Sequence, residues 1–318
     1  MRDRSDKRNL LLAAVCISLS ASMNVVYADD LWDAINNAAS SGYTLSGDYS
    51  LPDGKSSLGE LQSSNFTLEG NNYKVLLNEK PGIFIDDNHT MTIQNAIIEN
   101  ARTSDEDGSA ISNDGTLTIT NSKFNNNRTS AGMGGAIYND GTITSLFADF
   151  NNNYTNSDRA RGGAIYNNDE IGTINGNFEG NKTNKSGGGA IYNNGTITSI
   201  IGNFKDNSAG FYGGAIYNYK TIGSISGDFT DNSASSCGGA IYNGGTITSI
   251  SGNFTGNIAK EYESGSTGKL YGEGAAIHNE GTITSINANF TSNQAEGSNS
   301  RGGAIYNRGT ITSISGDF

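Results

Sequence analysis

The sequence predicts an all-β chain folded as a parallel β-helix, a solenoid of about nine coils with an N-terminal cap. Three observations predict it. First, GGAIYN recurs at 134–139, 162–167, 188–193, 213–218, 238–243 and 302–307, with an altered copy, GAAIHN, at 274–279. Second, apolar residues, a Phe and an Asn follow each copy at fixed offsets until the chain ends. Third, the block contains short alternations such as Thr196-Ile197-Thr198, bounded by Gly-Gly and Asn-Gly turn signals, and no helix-length segment.

The register is strict. With the Ile of each motif as zero, the series is Ile137, Ile165, Ile191, Ile216, Ile241, Ile277 and Ile305. Position +6 is Ile in all seven copies, +9 is Ile or Leu, and +13 is Phe150, Phe178, Phe204, Phe229, Phe254, Phe290 and Phe318. Position +16 is Asn153, Asn181, Asn207, Asn232, Asn257 and Asn293. Two degenerate copies precede these: Ile111 with Leu117, Phe124 and Asn127, and Ile85 with Met91 and Ile98, where Asn100 falls one short of register. From Ile85 onward the zero positions are 26, 26, 28, 26, 25, 25, 36 and 28 residues apart. Every length change falls between the +16 Asn and the next Gly pair, as in a solenoid that tolerates insertions on one edge. One coil advances by a strand spacing, so nine coils extend roughly 40–45 Å, and identical residues stack, Asn on Asn included.

Composition agrees. Of 318 residues, 43 are Gly and 2 are Pro, 35% are hydrophobic and 16% charged. Ordinary domains are about 45–50% apolar, so the core must be thin and linear. Solvated disorder would carry many more charges, and two Pro exclude collagen and Pro-rich linkers. A net charge of −12 leaves no basic face, which excludes nucleic acid as a partner.

Taken in order, residues 1–28 read as a secretory signal peptide: Arg2, Arg4, Lys7 and Arg8, an apolar run from Leu10 to Leu19, and Val26-Tyr27-Ala28 before the cut. The run is too short to span a bilayer, and Val15 before Cys16 fits a lipobox poorly. Removing this region's four basic and two acidic residues leaves a net charge near −14 and one cysteine, Cys237, so no internal disulfide can form. Residues 29–77 form the N-terminal cap and opening coils. LWDAINNAASSG at 31–42 has helical spacing and a terminal Gly, and 43–77 supplies one or two irregular coils. The cap is needed because an open solenoid end exposes a sheet edge. Residues 78–318 are the repeat domain, ending mid-coil at Phe318.

GGAI followed by FxxN, in fixed order over about 108–318, resembles the chlamydial polymorphic outer-membrane proteins and, more broadly, autotransporter passenger domains. The resemblance implies a right-handed β-helix displayed on the bacterial surface, acting as an adhesin. It also implies outer-membrane anchoring through a C-terminal translocator barrel, which lies outside this sequence.

Chemistry-bearing residues are few. β-Helices also host carbohydrate-active lyases and hydrolases, which need clustered carboxylates or a basic general base. The repeat block is nearly free of Asp, Glu, Lys and Arg, so the sequence predicts no enzyme and no cofactor. Asp86-Asp87 and Asp105-Glu106-Asp107 are turn-like carboxylates open to weak Ca²⁺ binding or simple solvation. Cys237 shows no evident His partner and reads as a spare thiol, with His89 and His278 far apart in coil order. Thr-x-Thr at 90–92, 116–118, 142–144, 196–198, 246–248, 282–284 and 310–312 would stack into a flat hydroxyl array of the ice-binding kind, or reflects strand propensity on a wet face. The insertion from Ala259 to Glu273 is the most distinctive non-repeated segment, with Lys260, Tyr262, Lys269 and Tyr271 as candidate contact residues. The expectation is an exported bacterial surface passenger that binds a host-cell or matrix component or associates with itself. A carbohydrate-active enzyme and a passive stalk are the alternatives.

Overall fold

In-register stacking is what a strict repeat must produce, and a computed structural model, describing residues 30–264 and 269–318, has it throughout. The proposed signal peptide lies outside these described residues. Successive copies pair parallel and residue for residue: Ile137 on Ile165, Tyr138 on Tyr166, Asn139 on Asn167, and so on to Ile277 on Ile305. The result is a right-handed parallel β-helix. Its three parallel faces follow the order of the sequence within each coil. The Ile-Tyr-Asn face is a ten-stranded sheet among the described residues, starting at Gly59–Glu60 in the opening segment. A long face carries strands such as Thr116–Asn125 and Thr246–Thr255. A short face of two-residue strands such as Arg128–Thr129 completes the coil.

Alternation places side chains. On the long face Ile143 and Leu146, and their copies down to Ile283 and Ile286, are almost wholly buried. The Phe column from Phe124 to Phe318 stacks nearly face to face, with centroids 4.7–5.1 Å apart. Two backbone devices make the corners. The first Gly of each GGAI has φ between 63° and 71° from Gly134 to Gly302, where a β-carbon is disfavoured. The second is needed for closeness: a Cβ on Gly163 would lie 2.0 Å from the Gly189 carbonyl. The residue before each ladder Asn of FxxN is also left-handed, which explains why that position holds Asn126, Asn152, Asp206, Asp231 and Ser292, or Gly180 and Gly256.

Three expectations change. The first coil is zeroed on Ile83, not Ile85, because Ile83 pairs with Ile111 and Ile85 with Asn113. The place of the +16 Asn is held by Ala101, 18 residues after Ile83 because this coil is two residues longer before its long face; its N–H donates to Asn127 Oδ1 at 3.0 Å. The cap helix is only Leu31–Ile35, started by Asp30 Oδ1 accepting from Asp33 N–H. It stops because Asn36 turns its amide back to Trp32 O and across to Leu58 O, and Gly42 is already in a strand against Thr67. The Thr-x-Thr motifs are not plain alternation. Pairing skips from Thr142–Ile143 to Ser145–Leu146, so Thr144, Thr198 and Thr248 sit at a stacked irregularity between the paired residues.

Candidate functional site

Position +1 of each motif points outward between two buried residues. Parallel pairing therefore builds a column of rings: Tyr138, Tyr166, Tyr192, Tyr217, Tyr242, His278 and Tyr306. The centroids are 4.6–5.4 Å apart. Their faces cover one another, so edges and hydroxyls are what the column presents. Burial pushes the Tyr138 hydroxyl up to about 12, and the hydroxyls of Tyr217 and Tyr242 higher still. The hydroxyls stay protonated and able to donate.

The Gly-Gly corner turns the residue at −4 back beside this column. That row runs Tyr212, Cys237, Glu273, Arg301 as successive backbone bridges. The variable loops enter at the same corner, since each connects the short face to the next Gly pair. Rings and loops thus share one edge, which carries two grooves. A central one of about 690 Å³ is lined by Asp158, Arg161, Lys185, Tyr192, Phe211 and Tyr217, with the Arg161 guanidinium 5.0 Å from the Tyr192 ring centre. The other, of about 650 Å³, is acidic and lined by Glu60, Glu106, Asp107, Asp114, Asp140 and Tyr138. Burial holds the Asp107 and Asp114 carboxyls above their ordinary value, and Asp140, Asp86 and Asp87 push Asp114 further. Of the two acidic turns noted in the sequence, Asp86-Asp87 thus acts on Asp114, and Glu106 and Asp107 line the same groove.

The candidate loop leaves this edge as an antiparallel hairpin, Tyr262–Ser264 with Lys269–Tyr271, which pairs Tyr262 with Tyr271 and Ser264 with Lys269. Lys260 is exposed at its foot, its N–H held by Ala234 O. The repeat residues are core. Ile137, Ile165, Ile191, Ile216, Ile241 and Ile277 are fully buried, as are Asn153, Asn181, Asn207, Asn232 and Asn257. Each +16 amide donates to the next coil's Oδ1 at 2.9–3.1 Å and to a Phe carbonyl at 2.8–2.9 Å. A second ladder at +2, buried from Asn113 to Asn279 and ending at the exposed Asn307, is not evident from the sequence: the Asn of AIYN passes for a turn residue, and only its invariance within the repeat signals more.

Cys237 is not alone. Glu273 and His278 stand beside it, with one ligand-type atom from each lying within 4.8 Å of the others. Cys237 Sγ is 4.0 Å and His278 Nδ1 3.9 Å from Glu273 Oε2. The sequence hides this because the residues are 36 and 41 apart, while one extra coil brings them together. Burial pushes the Cys237 thiol up to about 11 and lowers the His278 imidazole. Glu280 Oε1 lies 3.5 Å from His278 Nε2, and Tyr242 donates to its other oxygen at 2.8 Å. Burial alone would raise the Glu280 carboxyl, but those contacts hold it below its usual range.

No curated protein and no solved structure is significantly similar to the chain. Two stretches, residues 121–140 and 226–244, each running from FxxN through GGAIYN, match the family model of the Chlamydia polymorphic membrane protein (Chlamydia_PMP) repeat.

Proposed function

We propose that this chain is an exported bacterial surface protein that works by adhesion, to a host-cell or matrix component or to another copy of itself, through its loop-bearing edge. The repeat type and the β-helix fit a surface passenger, and polymorphic membrane proteins are an outer-membrane and surface family. One observation carries the binding reading: from Ile111 onward the length variation between coils, the ring column and both grooves converge on one edge of a rigid scaffold. Rigid scaffolds that confine variation to one edge use it for recognition. Lys260, Tyr262, Lys269 and Tyr271 are the proposed contacts of the longest loop.

The test is deletion of 261–271, which restores the 25-residue spacing of the preceding coils and keeps two residues between Ala259 and Glu273, as between Ala234 and Cys237. The far-ultraviolet circular dichroism is expected to be kept, and adhesion to host cells and matrix, or self-association by sedimentation, to fall. If both binding readouts match those of the intact chain, this loop is not the contact.

A further inference from the structure

The Cys237, Glu273 and His278 cluster has a feature that burial and packing leave unexplained. His278 is 1% exposed and its Nδ1 has no hydrogen-bond partner. A buried polar atom without a partner costs about 1–3 kcal/mol. At the same position six other coils carry Tyr138, Tyr166, Tyr192, Tyr217, Tyr242 and Tyr306, whose ring fills the same column. The imidazole puts a lone pair where those rings have none. We propose that Cys237, Glu273 and His278 form a binding site for a borderline-soft divalent cation, zinc being the representative.

Three observations support the assignment. Ligand type comes first: one thiol, one imidazole and one carboxylate suit zinc-class ions, whereas calcium and magnesium take oxygen alone. Spacing comes second. Ligands around tetrahedral zinc lie roughly 3.3–3.8 Å apart. The atoms here are 3.9 and 4.0 Å from Glu273 Oε2 and within 4.8 Å overall, so a contraction of about 1 Å or less closes the set. Orientation comes third. Glu280 faces His278 Nε2 and is itself held by Tyr242 and by Arg308 at 3.5 Å, so a proton on Nε2 leaves Nδ1 free to ligate. A carboxylate behind a ligating histidine is the usual outer support of such sites. Arg301 lies 3.7 Å from Glu273 Oε1, leaving Oε2 turned toward Cys237 and His278. Three protein ligands leave one coordination position for water.

The experiment uses the whole chain, purified reduced and stripped with chelator, then titrated with Co²⁺ and with Zn²⁺. Expected are one equivalent bound, a thiolate-to-cobalt charge-transfer band, and its loss when zinc is added. Cys237→Ser and His278→Tyr should each abolish the band. His278→Tyr restores the residue of the neighbouring coils, so circular dichroism should be unchanged and the unfolding midpoint of the metal-free chain no lower than wild type. Glu280→Gln, a positioning change, should weaken cobalt binding about tenfold while the band persists. A folded wild-type chain that gives no band, or a band that survives in His278→Tyr, overturns the proposal.

Discussion

A single Asn shows how this chain is held. Asn207 Nδ2 donates to Phe178 O at 2.9 Å and to Asn232 Oδ1 at 3.0 Å, while its own Oδ1 accepts from the Asn181 N–H and Nδ2. Polar groups inside a core are tolerable only when satisfied, and here one amide satisfies groups in three consecutive coils. Asn207→Ala orphans the Asn181 N–H and the Phe178 carbonyl, so it should destabilise the chain by about 3 kcal/mol. Asn184, exposed and with its side-chain amide donating to Asn156 Oδ1, is the control. Asn184→Ala should stay within about 0.5 kcal/mol. Urea unfolding of both variants checks this. Equal effects would mean that the ladder adds nothing beyond surface contacts.

The corner is the element that sets coil spacing. A methyl on Gly163 would meet backbone at 2.0 Å, whereas one on Gly244 would meet nothing closer than the Tyr242 ring at 3.5 Å. Gly163→Ala should therefore separate neighbouring coils and lower the melting temperature by several degrees, and Gly244→Ala should be neutral in the same thermal scan. The acidic end of the ring-bearing edge makes a pH prediction at this scale. Burial raises the Asp114 carboxyl in the folded state, aided by Asp140, Asp86 and Asp87. Folding therefore favours its protonated form. That contribution is complete below the ordinary Asp value of about 3.9 and is lost as pH rises through the higher folded value. Asp114→Asn should raise the melting temperature at neutral pH and have no effect below that ordinary value. A gain of equal size at both pH values would contradict the assignment.

Across the whole molecule, stability and function are divided by face. Each coil touches only its neighbours, so a core of stacked Ile, Phe and Asn holds a chain that is only 35% hydrophobic. The loops add no rung to that stack, and one of them already makes a 36-residue spacing where its neighbours make 25 and 28. That is why removal of 261–271, which restores a 25-residue spacing, is expected to test binding without testing folding. It is also why the Cys-Glu-His cluster sits immediately after the longest loop, where the row beside the rings changes from Cys237 to Glu273.

How much was legible in the sequence follows from what repetition encodes. The solenoid, the buried Ile, Phe and +16 Asn columns and the single variable edge could all be read, because in-register stacking turns a sequence period directly into a spatial column. The first coil's zero at Ile83 was not legible, since without GGAI nothing marks the register locally and only pairing with Ile111 decides it. The bulge at Thr144 was hidden because Thr-x-Thr looks like plain alternation, and only paired Ser145 and Thr173 show the skipped residue. The meeting of Cys237 with His278 belongs to tertiary structure alone. Their separation along the chain includes an insertion of no fixed length, and it is the closing of the next coil on the parallel sheet that brings thiol, carboxylate and imidazole within reach of one another.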